Sequence, residues 1–436
     1  MRLAWFSPLP PVRSGIATDN AGLLAVLDGE FAIDRFVDGL GRTPPGARMY
    51  DAYDFVWKQR REPYDLVVYQ LGNSPAHDYI WAYLAPYPGL VVLHDPALHH
   101  ARARQLLSSG RADDYRREFQ YDQPDARREF AEYVVAGLGG SVLYLYSMLR
   151  VPIQTSRLVA VHNPRVAADL RDRFPDAAIE TIHLGKPPLE TGPVPRAGVR
   201  ATLGVPDGCV VFAAFGKITG AKRVGPILRA FSSLVRGGAD ARLLLAGDAS
   251  DYPSLAADVA ATAAADRIHV TGYIDDDAVG GLLAAADVCL CLRWPTARET
   301  SGSWLQCLAA RRPTVISDLA HLVDIPPSVA VRVDLLDEDR SLLDAMQRLA
   351  ADAGLRAELG RAGHAYWAAN HTMDVMANDY RRIVAQAAAR PAPAVADLPA
   401  HFLDDYSASA RRIAGSLGVQ IDVLRAARDP SSSAPG

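Results

Sequence analysis

Short apolar runs separated by helical or turn-rich segments recur along the first half of the chain. Such runs are typical of buried parallel strands, and the alternation favours an α/β sheet. A glycine-bearing loop and a helix of residues 18–27 follow the first run, which is a Rossmann-like opening. The runs lie at residues 2–6, 31–36, 65–70, 90–93, 157–161 and 180–185, and helical patterns lie at 102–132 (charged) and 134–149 (apolar).

The alternation restarts after a segment rich in proline and glycine, residues 186–200, which is typical of a linker or hinge that permits domain closure. We therefore predict an α/β protein with two Rossmann-like parallel-sheet domains facing a cleft. Their ranges are 1–190 and 205–372, joined by a linker at 186–204. Strands of the second domain are predicted at residues 209–215, 241–246, 268–271, 288–292 and 314–317.

The C-terminal region carries helical patterns but no chemistry that the sequence identifies. Residues 361–389 are predicted to be helical, in one or two pieces. Residues 391–436 are predicted to comprise a proline-bearing linker, an amphipathic helix within 401–428 and a disordered tail.

Composition restricts the partners of the 436-residue chain. Its hydrophobic content of 49% and charged content of 22% are those of a soluble globular protein, and its net charge of −4 gives no general attraction to nucleic acid. The apolar run at the N-terminus is too short for a signal peptide, and no run approaches the ~20 residues that span a bilayer. We expect a cytoplasmic protein. Residues 134–149 could contact the inner face of a membrane, but without a basic polar face burial is favoured.

Cysteine and histidine residues do not predict a metal site. Cys209, Cys289, Cys291 and Cys307 lie in or beside apolar segments and are expected to be reduced core thiols. His94, His99 and His100 would have to converge from a loop broken by a proline, with no further ligand cluster. His94, at the carboxyl end of a strand, is better placed for a ligand, although a hydrogen bond to its own loop is an alternative.

Two loops of the second domain carry candidate chemistry. Gly216 lies between a strand and a helix, with Lys217 and Lys222 five positions apart. Backbone N–H groups, a helix N-terminus and two ammonium groups suit a diphosphate, although exposed lysines without function are common. Glu299 lies on a loop that precedes another helix, where Thr300 or Ser301 can cap the helix and Gly302 lets a ligand approach.

The order of these features resembles glycosyltransferase family 4, retaining enzymes of GT-B architecture. The resemblance covers residues 1–385 and includes an N-terminal half with matching loops. The motifs are Ser7-Pro8-Leu9-Pro10-Pro11-x-x-Ser14-Gly15, Gln70-Leu71-Gly72-Asn73, Val91-Val92-Leu93-His94-Asp95, Gly216-Lys217-x4-Lys222-Arg223, Leu245-Ala246-Gly247-Asp248, Gly272-Tyr273-Ile274, Ala285-Ala286-Asp287-Val288, Pro295-x3-Glu299-Thr300-Ser301-Gly302 and Arg312-Pro313-Thr314-Val315.

The resemblance implies a role for particular residues. Lys217 and Lys222 would hold the donor diphosphate, Glu299 the donor sugar hydroxyls, and His94 would lie close to the transferred sugar. It implies that residues 373–390 form a helix packed on the first domain, and that no metal or cofactor is needed. The remaining implied donor-binding residues are Gly15, near the diphosphate and acceptor, Tyr273 and Ile274 at the nucleobase, and Gly216, Thr300, Ser301, Gly302 and Gln306.

Two positions depart from the family pattern. Gln306 stands where a second glutamate usually binds the ribose, and its amide oxygen can accept a hydroxyl hydrogen without a charge-assisted bond. Arg311 stands where a glycine usually precedes Arg312-Pro313.

The sequence thus predicts a retaining glycosyltransferase that uses a nucleoside-diphosphate sugar. The acceptor could be a glycan, a lipid-linked sugar or a small metabolite, and the oligomeric state is not predicted. A GT-B sugar-nucleotide epimerase and a non-catalytic glycosyltransferase-like subunit are the alternatives. The epimerase would need additional acid/base carboxylates, while the missing second glutamate is the argument for the binding subunit.

Overall fold

The structure, a computed structural model, describes residues 1–39, 48–140, 142–189, 196–206, 208–395 and 397–403. Within these residues the chain forms two compact units. The first comprises Met1–Ile182, Ala297–Thr300 and the described residues from Ala377 onward. The second comprises His183–Thr296 and Ser301–Met376. The short segment Ala297–Thr300 therefore groups with the first unit, although it lies between two segments of the second.

A seven-stranded parallel sheet forms the centre of the first unit, in the order β3-β2-β1-β4-β5-β6-β7. As in a Rossmann fold, the strand order reverses direction at one point, which here lies between β1 and β4. All six sequence-predicted strands of this half are present, whereas the short β3 was not predicted. The strands are β1 (Arg2–Phe6), β2 (Ala32–Val37), β3 (Met49–Asp51), β4 (Leu66–Leu71), β5 (Leu90–Leu93), β6 (Leu158–Val161) and β7 (Ile179–Thr181).

The helices within residues 102–149 are shorter than the sequence pattern predicted. The prediction of two long helices over residues 102–149 is wrong, because turns with positive φ at Gly110, Gly137 and Gly140 interrupt the pattern. The helices are α1 (Gly15–Leu27), α2 (Asp54–Arg61), α3 (Trp81–Leu84), α4 (His99–Ser108), α5 (Ala112–Asp122), α6 (Glu129–Val135), α7 (Val142–Leu145), α8 (Arg150–Gln154) and α9 (Pro164–Arg173), with a 3₁₀ helix at Pro75–Ile80.

The second unit repeats the arrangement with six parallel strands in the order β10-β9-β8-β11-β12-β13. Here the order reverses between β8 and β11. The five predicted strands are present, and a sixth, β13, was missed. The strands are β8 (Val210–Phe215), β9 (Ala241–Ala246), β10 (Ile268–Gly272), β11 (Val288–Cys291), β12 (Thr314–Ser317) and β13 (Ala330–Val333).

The helices of the second unit pack on this sheet, and the C-terminal helices begin earlier than residue 361, where the sequence placed them. Within the second unit these are α10 (Arg196–Thr202), α11 (Val224–Arg236), α12 (Leu255–Ala260), α13 (Asp276–Ala285), α14 (Gly302–Ala309), α15 (Glu338–Ala351) and α16 (Ala353–Asn370), with 3₁₀ helices at Gly220–Lys222, Ala265–Arg267 and Ala320–Leu322. Two more follow, α17 (Met373–Ala388) and α18 (Ala400–Leu403).

Helix α17 begins in the second unit and continues in the first. There the ring of Tyr380 stacks on that of Trp5 in β1, with 5.5 Å between ring centroids, and both side chains are fully buried. The last long helix is therefore part of the core of the first unit.

Two predicted segments fall partly outside the described residues. They are positions 190–195 of the predicted linker and positions 404–436 of the predicted amphipathic helix and tail. Among the described residues, no helix is long and apolar enough to cross a membrane.

The backbone conformation at the end of α14 bears on Arg311, one of the two departures from the pattern of the family that the sequence resembles. Arg311 has a φ of +57°, in the left-handed region that favours glycine. Two hydrogen bonds fix this turn, from the Arg311 N–H to the Leu308 carbonyl and from the Arg312 N–H to the Cys307 carbonyl. The backbone therefore keeps the conformation of a glycine turn with an exposed arginine in it.

Replacing Arg311 with glycine is expected to stabilise the protein by about 1 kcal/mol, because the strain of a side chain in the left-handed region is removed. The midpoint of urea unfolding measures the change. Arg311→Ala is the matched control, since it removes the same charge but keeps a Cβ in the strained conformation. An equal gain from both variants would show that charge, and not backbone strain, is responsible.

Candidate active site

The candidate residues of the second unit lie on the loops that follow β8 and β11. Between these two strands the order of the sheet reverses, and ligands of open α/β sheets bind outside the carboxyl ends of strands at such a point. The loop after β8 contains Gly216, Lys217 and Lys222. The loop after β11 leads to α14.

Close contact between two backbone segments fixes the loop after β8. Gly216 has a φ of +90°, and its N–H donates to the Ala246 carbonyl at 2.9 Å. Gly247, with a φ of +152°, packs so closely that a Cβ there would lie 2.3 Å from the Gly216 carbonyl oxygen. Both positions therefore require glycine, and the backbones that follow β8 and β9 lie in direct contact.

The ammonium group of Lys222 lies directly against this loop. A Cβ on Gly216 would be 2.8 Å from Lys222 Nζ, and Nζ donates to the Phe215 carbonyl at 2.7 Å. Burial, together with the positive charge of Arg293, lowers the pKa of Lys222 from its usual 10.5 to about 8. An ammonium held against a glycine loop in this way is suited to an anion.

Lys217 has a different environment. Its side chain is 54% exposed, and its Nζ forms an ion pair with Asp251 Oδ2 at 2.7 Å. The two lysines of the predicted pair therefore belong to one loop, but only Lys222 is packed against its backbone.

The N-terminus of α14 meets the glycine loop. Ser301 caps the helix, its hydroxyl accepting from the Trp304 N–H at 3.3 Å, and it also contacts the Ser303 hydroxyl at 3.1 Å. Ser303 reaches the other loop, since its Cβ lies 3.6 Å from the position of a Cβ on Gly216. The positive end of the helix dipole and Lys222 thus lie on either side of Gly216.

A further lysine, which the sequence placed at the start of a linker, lies at the same helix. Lys186 is only 4% exposed. Its Cε and Nζ both lie 3.0 Å from the position that a Cβ on Gly302 would occupy. The signal that could have identified it is its position directly after Gly185, one short turn beyond the last strand of the first sheet.

The residues predicted to bind the nucleobase and the ribose do not lie on the loop of Lys222. Gln306 is partly buried one turn into α14, and no described residue hydrogen-bonds its side-chain amide. Tyr273, 48% exposed, follows β10, two strands from β8. Ile274 packs partly into the apolar cluster around Leu283.

In the first unit, a chain of hydrogen bonds orients His94. Its Nε2 lies 2.7 Å from Gln70 Oε1, which also accepts from the Tyr380 hydroxyl at 3.2 Å. Because an amide oxygen only accepts, Nε2 of His94 carries a proton. Its Nδ1 can then accept from Nε2 of His162, at 3.2 Å. His162 is a functional candidate that the sequence analysis did not single out.

The segment Gly72-Asn73, part of a motif that carried the resemblance, organises the loop that bears His94. The Asn73 N–H donates to Asp95 at 2.7 Å, and its side-chain amide donates to the Ala97 carbonyl at 2.7 Å. A Cβ on Gly72 would meet the Ile16 side chain at 2.9 Å. These contacts hold the carboxyl ends of β4 and β5 next to the start of α1.

Gly15 is the first residue of α1, three residues before the predicted start. Ser14 caps this helix and accepts from the Ala17 N–H at 3.0 Å. A Cβ on Gly15 would meet no atom within 4 Å. Protein packing therefore does not require glycine at this position.

The loop that carries Glu299 contacts the second histidine. The hydroxyl of Thr300 donates to the His162 carbonyl at 3.1 Å, and Arg298 forms an ion pair with Asp169 of α9. Glu299 lies between these two anchored residues and is itself partly buried.

The other two histidines of the sequence motif have no place at this site. His99 is fully buried, with Nε2 at 2.7 Å from the Tyr115 hydroxyl and Nδ1 at 3.1 Å from the Tyr146 carbonyl. His100 packs its ring on that of Tyr144. In the described part of the chain, no group of three or more His, Cys, Asp or Glu side chains is arranged to hold a metal ion.

The chain is similar in sequence to known glycosyltransferases. Residues 209–352 match the family model described as glycosyl transferases group 1. The alpha-D-kanosaminyltransferase of Streptomyces kanamyceticus is 25% identical over 269 residues, which cover 59% of this chain and 64% of that protein. The chain thus spans less than two thirds of this curated relative.

Solved structures match over most of the chain. A sucrose-phosphate synthase from Thermosynechococcus elongatus superposes with a TM-score of 0.64 at 17% identity, covering 88% of this chain and 98% of that one. Anabaena HepE in complex with UDP-glucose superposes with a TM-score of 0.63 at 13% identity, covering 88% and 99%. With its two parallel-sheet units, the chain has the GT-B fold.

The lowered pKa of Lys222 makes anion binding dependent on pH. Below about pH 8 the ammonium is charged, and above it the charge is lost. The affinity for a nucleoside diphosphate is therefore expected to fall by roughly tenfold between pH 7 and pH 9, as measured by titration calorimetry. Lys222→Arg should bind with little pH dependence over this range, because arginine stays charged. A wild-type affinity that does not change would contradict this role of Lys222.

Proposed function

We propose that the protein is a retaining glycosyltransferase that moves a sugar from a nucleoside-diphosphate sugar to a carbohydrate, lipid-linked or small-molecule acceptor. The observation that carries the proposal is the meeting of three groups in the second unit: the glycine loop at Gly216, the ammonium of Lys222 and the N-terminus of α14 at Ser303. Each of them favours a phosphate anion at the switch point of the sheet. The family-model match over residues 209–352 and the transferase relative support the same activity.

These groups suit the departure of a nucleoside diphosphate. When the bond between the anomeric carbon and the diphosphate oxygen breaks, negative charge builds up on that oxygen. A fixed ammonium and fixed backbone N–H groups stabilise this charge more in the transition state than in the ground state. In the retaining mechanism the acceptor oxygen bonds to the anomeric carbon on the same face, and its proton passes to a phosphate oxygen.

His94, Gly15 and Glu299 are the residues proposed to contact the sugar and the acceptor. His94 is held by Gln70 and His162 in a single orientation at the carboxyl end of β5. Gly15 opens α1 without any packing need for glycine, which suits a position that a ligand approaches. Glu299 would bind donor sugar hydroxyls as a carboxylate acceptor. UDP-glucose, bound by the structurally similar HepE, represents the donor class.

An epimerase of the same fold is the main alternative, since it would also bind a nucleoside diphosphate. Incubation with a sugar nucleotide and no acceptor separates the two activities, because only an epimerase would convert the sugar nucleotide to its isomer. A non-catalytic binding subunit is the second alternative, and Gln306 in place of a glutamate is the observation that favours it.

A thermal-shift screen against a panel of nucleotide sugars tests the proposal. A donor is expected to raise the melting temperature, because a ligand that binds only the folded state stabilises it. The donor identified in this way is then offered to candidate acceptors. If no nucleotide sugar shifts the melting temperature, a non-catalytic binding subunit would be favoured over an enzyme.

Lys222→Ala and Glu299→Ala are each expected to abolish transfer, with a loss of at least about 100-fold in kcat/KM, because they remove charge stabilisation and sugar binding respectively. Transfer assays measure the loss, and circular dichroism checks that both variants remain folded. Lys58→Ala, a partly buried lysine of α2, is the control and should retain activity. Turnover close to wild type in either site variant would refute the assignment of that residue.

Gln306→Glu is expected to be tolerated, because the side chain is partly exposed on α14 and has the same length. The variant should keep kcat within about threefold of wild type and bind the donor at least as well, through a charge-assisted bond to the ribose. Steady-state kinetics with varied donor measure this. An inactive but folded Gln306→Glu variant would place the ribose elsewhere.

A further inference from the structure

Lys186 is a buried lysine outside the set of residues that the sequence motifs assign to the donor. Two contacts fix the backbone at Lys186 within the second unit. Its N–H donates to the His371 carbonyl at 2.8 Å, and a Cβ on the preceding Gly185 would lie 2.7 Å from the Thr372 carbonyl. His371 in turn contacts the Leu184 carbonyl through Nδ1 at 3.0 Å. The direction in which the Lys186 side chain leaves the backbone is therefore determined.

The side chain ends at the first residue of α14. Its Cε and Nζ lie 3.0 Å from the position of a Cβ on Gly302, closer than an ordinary van der Waals contact, so a side chain at this position would require the ammonium to shift. Lysine is seldom buried to 4% exposure, because removing an ammonium from water is costly. Lys186 is therefore a packed part of the structure at Gly302 and not a solvated surface lysine.

Two ammonium groups thus lie against the two loops at the switch point. Lys222 lies against Gly216, and Lys186 lies against Gly302. Ser303 is next to Gly302 in the chain and next to Gly216 in space. In the proposed function, Lys222 and Ser303 bind the diphosphate and Glu299 binds the sugar, and Lys186 contacts Gly302, the residue between Ser303 and the segment of Glu299.

We propose that Lys186 is a positioning residue for the transferred sugar. Its ammonium, packed against Gly302, holds the segment that leads back to Glu299 in the conformation that receives the sugar, while Lys222 and Ser303 hold the diphosphate. Because Lys186 is almost fully buried, it acts through this backbone and not by replacing Lys222. The inference rests on the proposed glycosyl transfer and gives the two lysines different roles in binding the donor.

The division predicts a difference between two ligands of the same site. Lys186→Met keeps the length of the side chain and removes its charge. This variant should lower the affinity for the nucleotide sugar at least tenfold. It should weaken the corresponding nucleoside diphosphate less than threefold. Lys222→Met should weaken both ligands by a similar factor. Calorimetric titration of the full chain measures all four affinities, and Lys58→Met is the matched control, with both affinities unchanged.

Several outcomes would overturn the inference. If Lys186→Met weakens both ligands equally, Lys186 is a second phosphate-binding cation. If it changes neither affinity, the buried ammonium serves folding only. If the wild-type protein binds no nucleotide sugar at all, the proposed function itself has failed, and this result is seen before any variant is compared.

Gly302→Ala provides a second test that leaves Lys186 in place. The added Cβ would displace the ammonium, so the variant should reproduce the selective loss of nucleotide-sugar affinity and lower kcat by a similar factor. In the double variant with Lys186→Met the losses should not multiply, because both changes disturb one contact. Losses that multiply would show that the two residues act independently and would refute the proposal.

Discussion

The cost of keeping positive charge away from water is the constraint on which the second unit depends. Lys222 and Lys186 are both held against glycine backbone, where no side chain could fit between the ammonium and the loop. The first of them has a pKa lowered to about 8, which is the sign of this cost. An anionic ligand would restore the favourable surroundings that burial removes. For Lys222, the cost that lowers its pKa in the free protein would thereby be offset by the bound anion.

The geometry that allows this comes from the parallel sheet. Gly216 and Gly247 end neighbouring strands, and their backbones touch because neither has a Cβ. The strand order reverses beside them, and the N-terminus of α14, which follows β11, meets the loop after β8 at this point. In the first unit the same reversal lies between β1 and β4. The residues there are different: hydrogen bonds centred on Gln70 orient His94.

The sequence predicted the α/β class and eleven of the strands because apolar runs of parallel strands are continuous and easily recognised. The strands β3 and β13 were missed, and they lie at sheet edges, where β3 is only partly buried. The helices of residues 102–149 were predicted too long, because helical periodicity does not reveal where a glycine turns the chain. The lysines of the glycine loop were found from their spacing. Lys186 was not, because the prolines after it indicate a linker, and only the fold brings it to Gly302.

The position of α17 has a consequence for exchanging parts between related proteins. Tyr380 belongs to the first unit although it follows the whole of the second in the chain, and it both stacks on Trp5 and donates to Gln70. A chimera that takes only residues 1–182 from another parent would therefore combine a foreign β1 with this tyrosine. An interchangeable module must instead consist of two separate pieces of sequence, the N-terminal segment and the helix that completes its core.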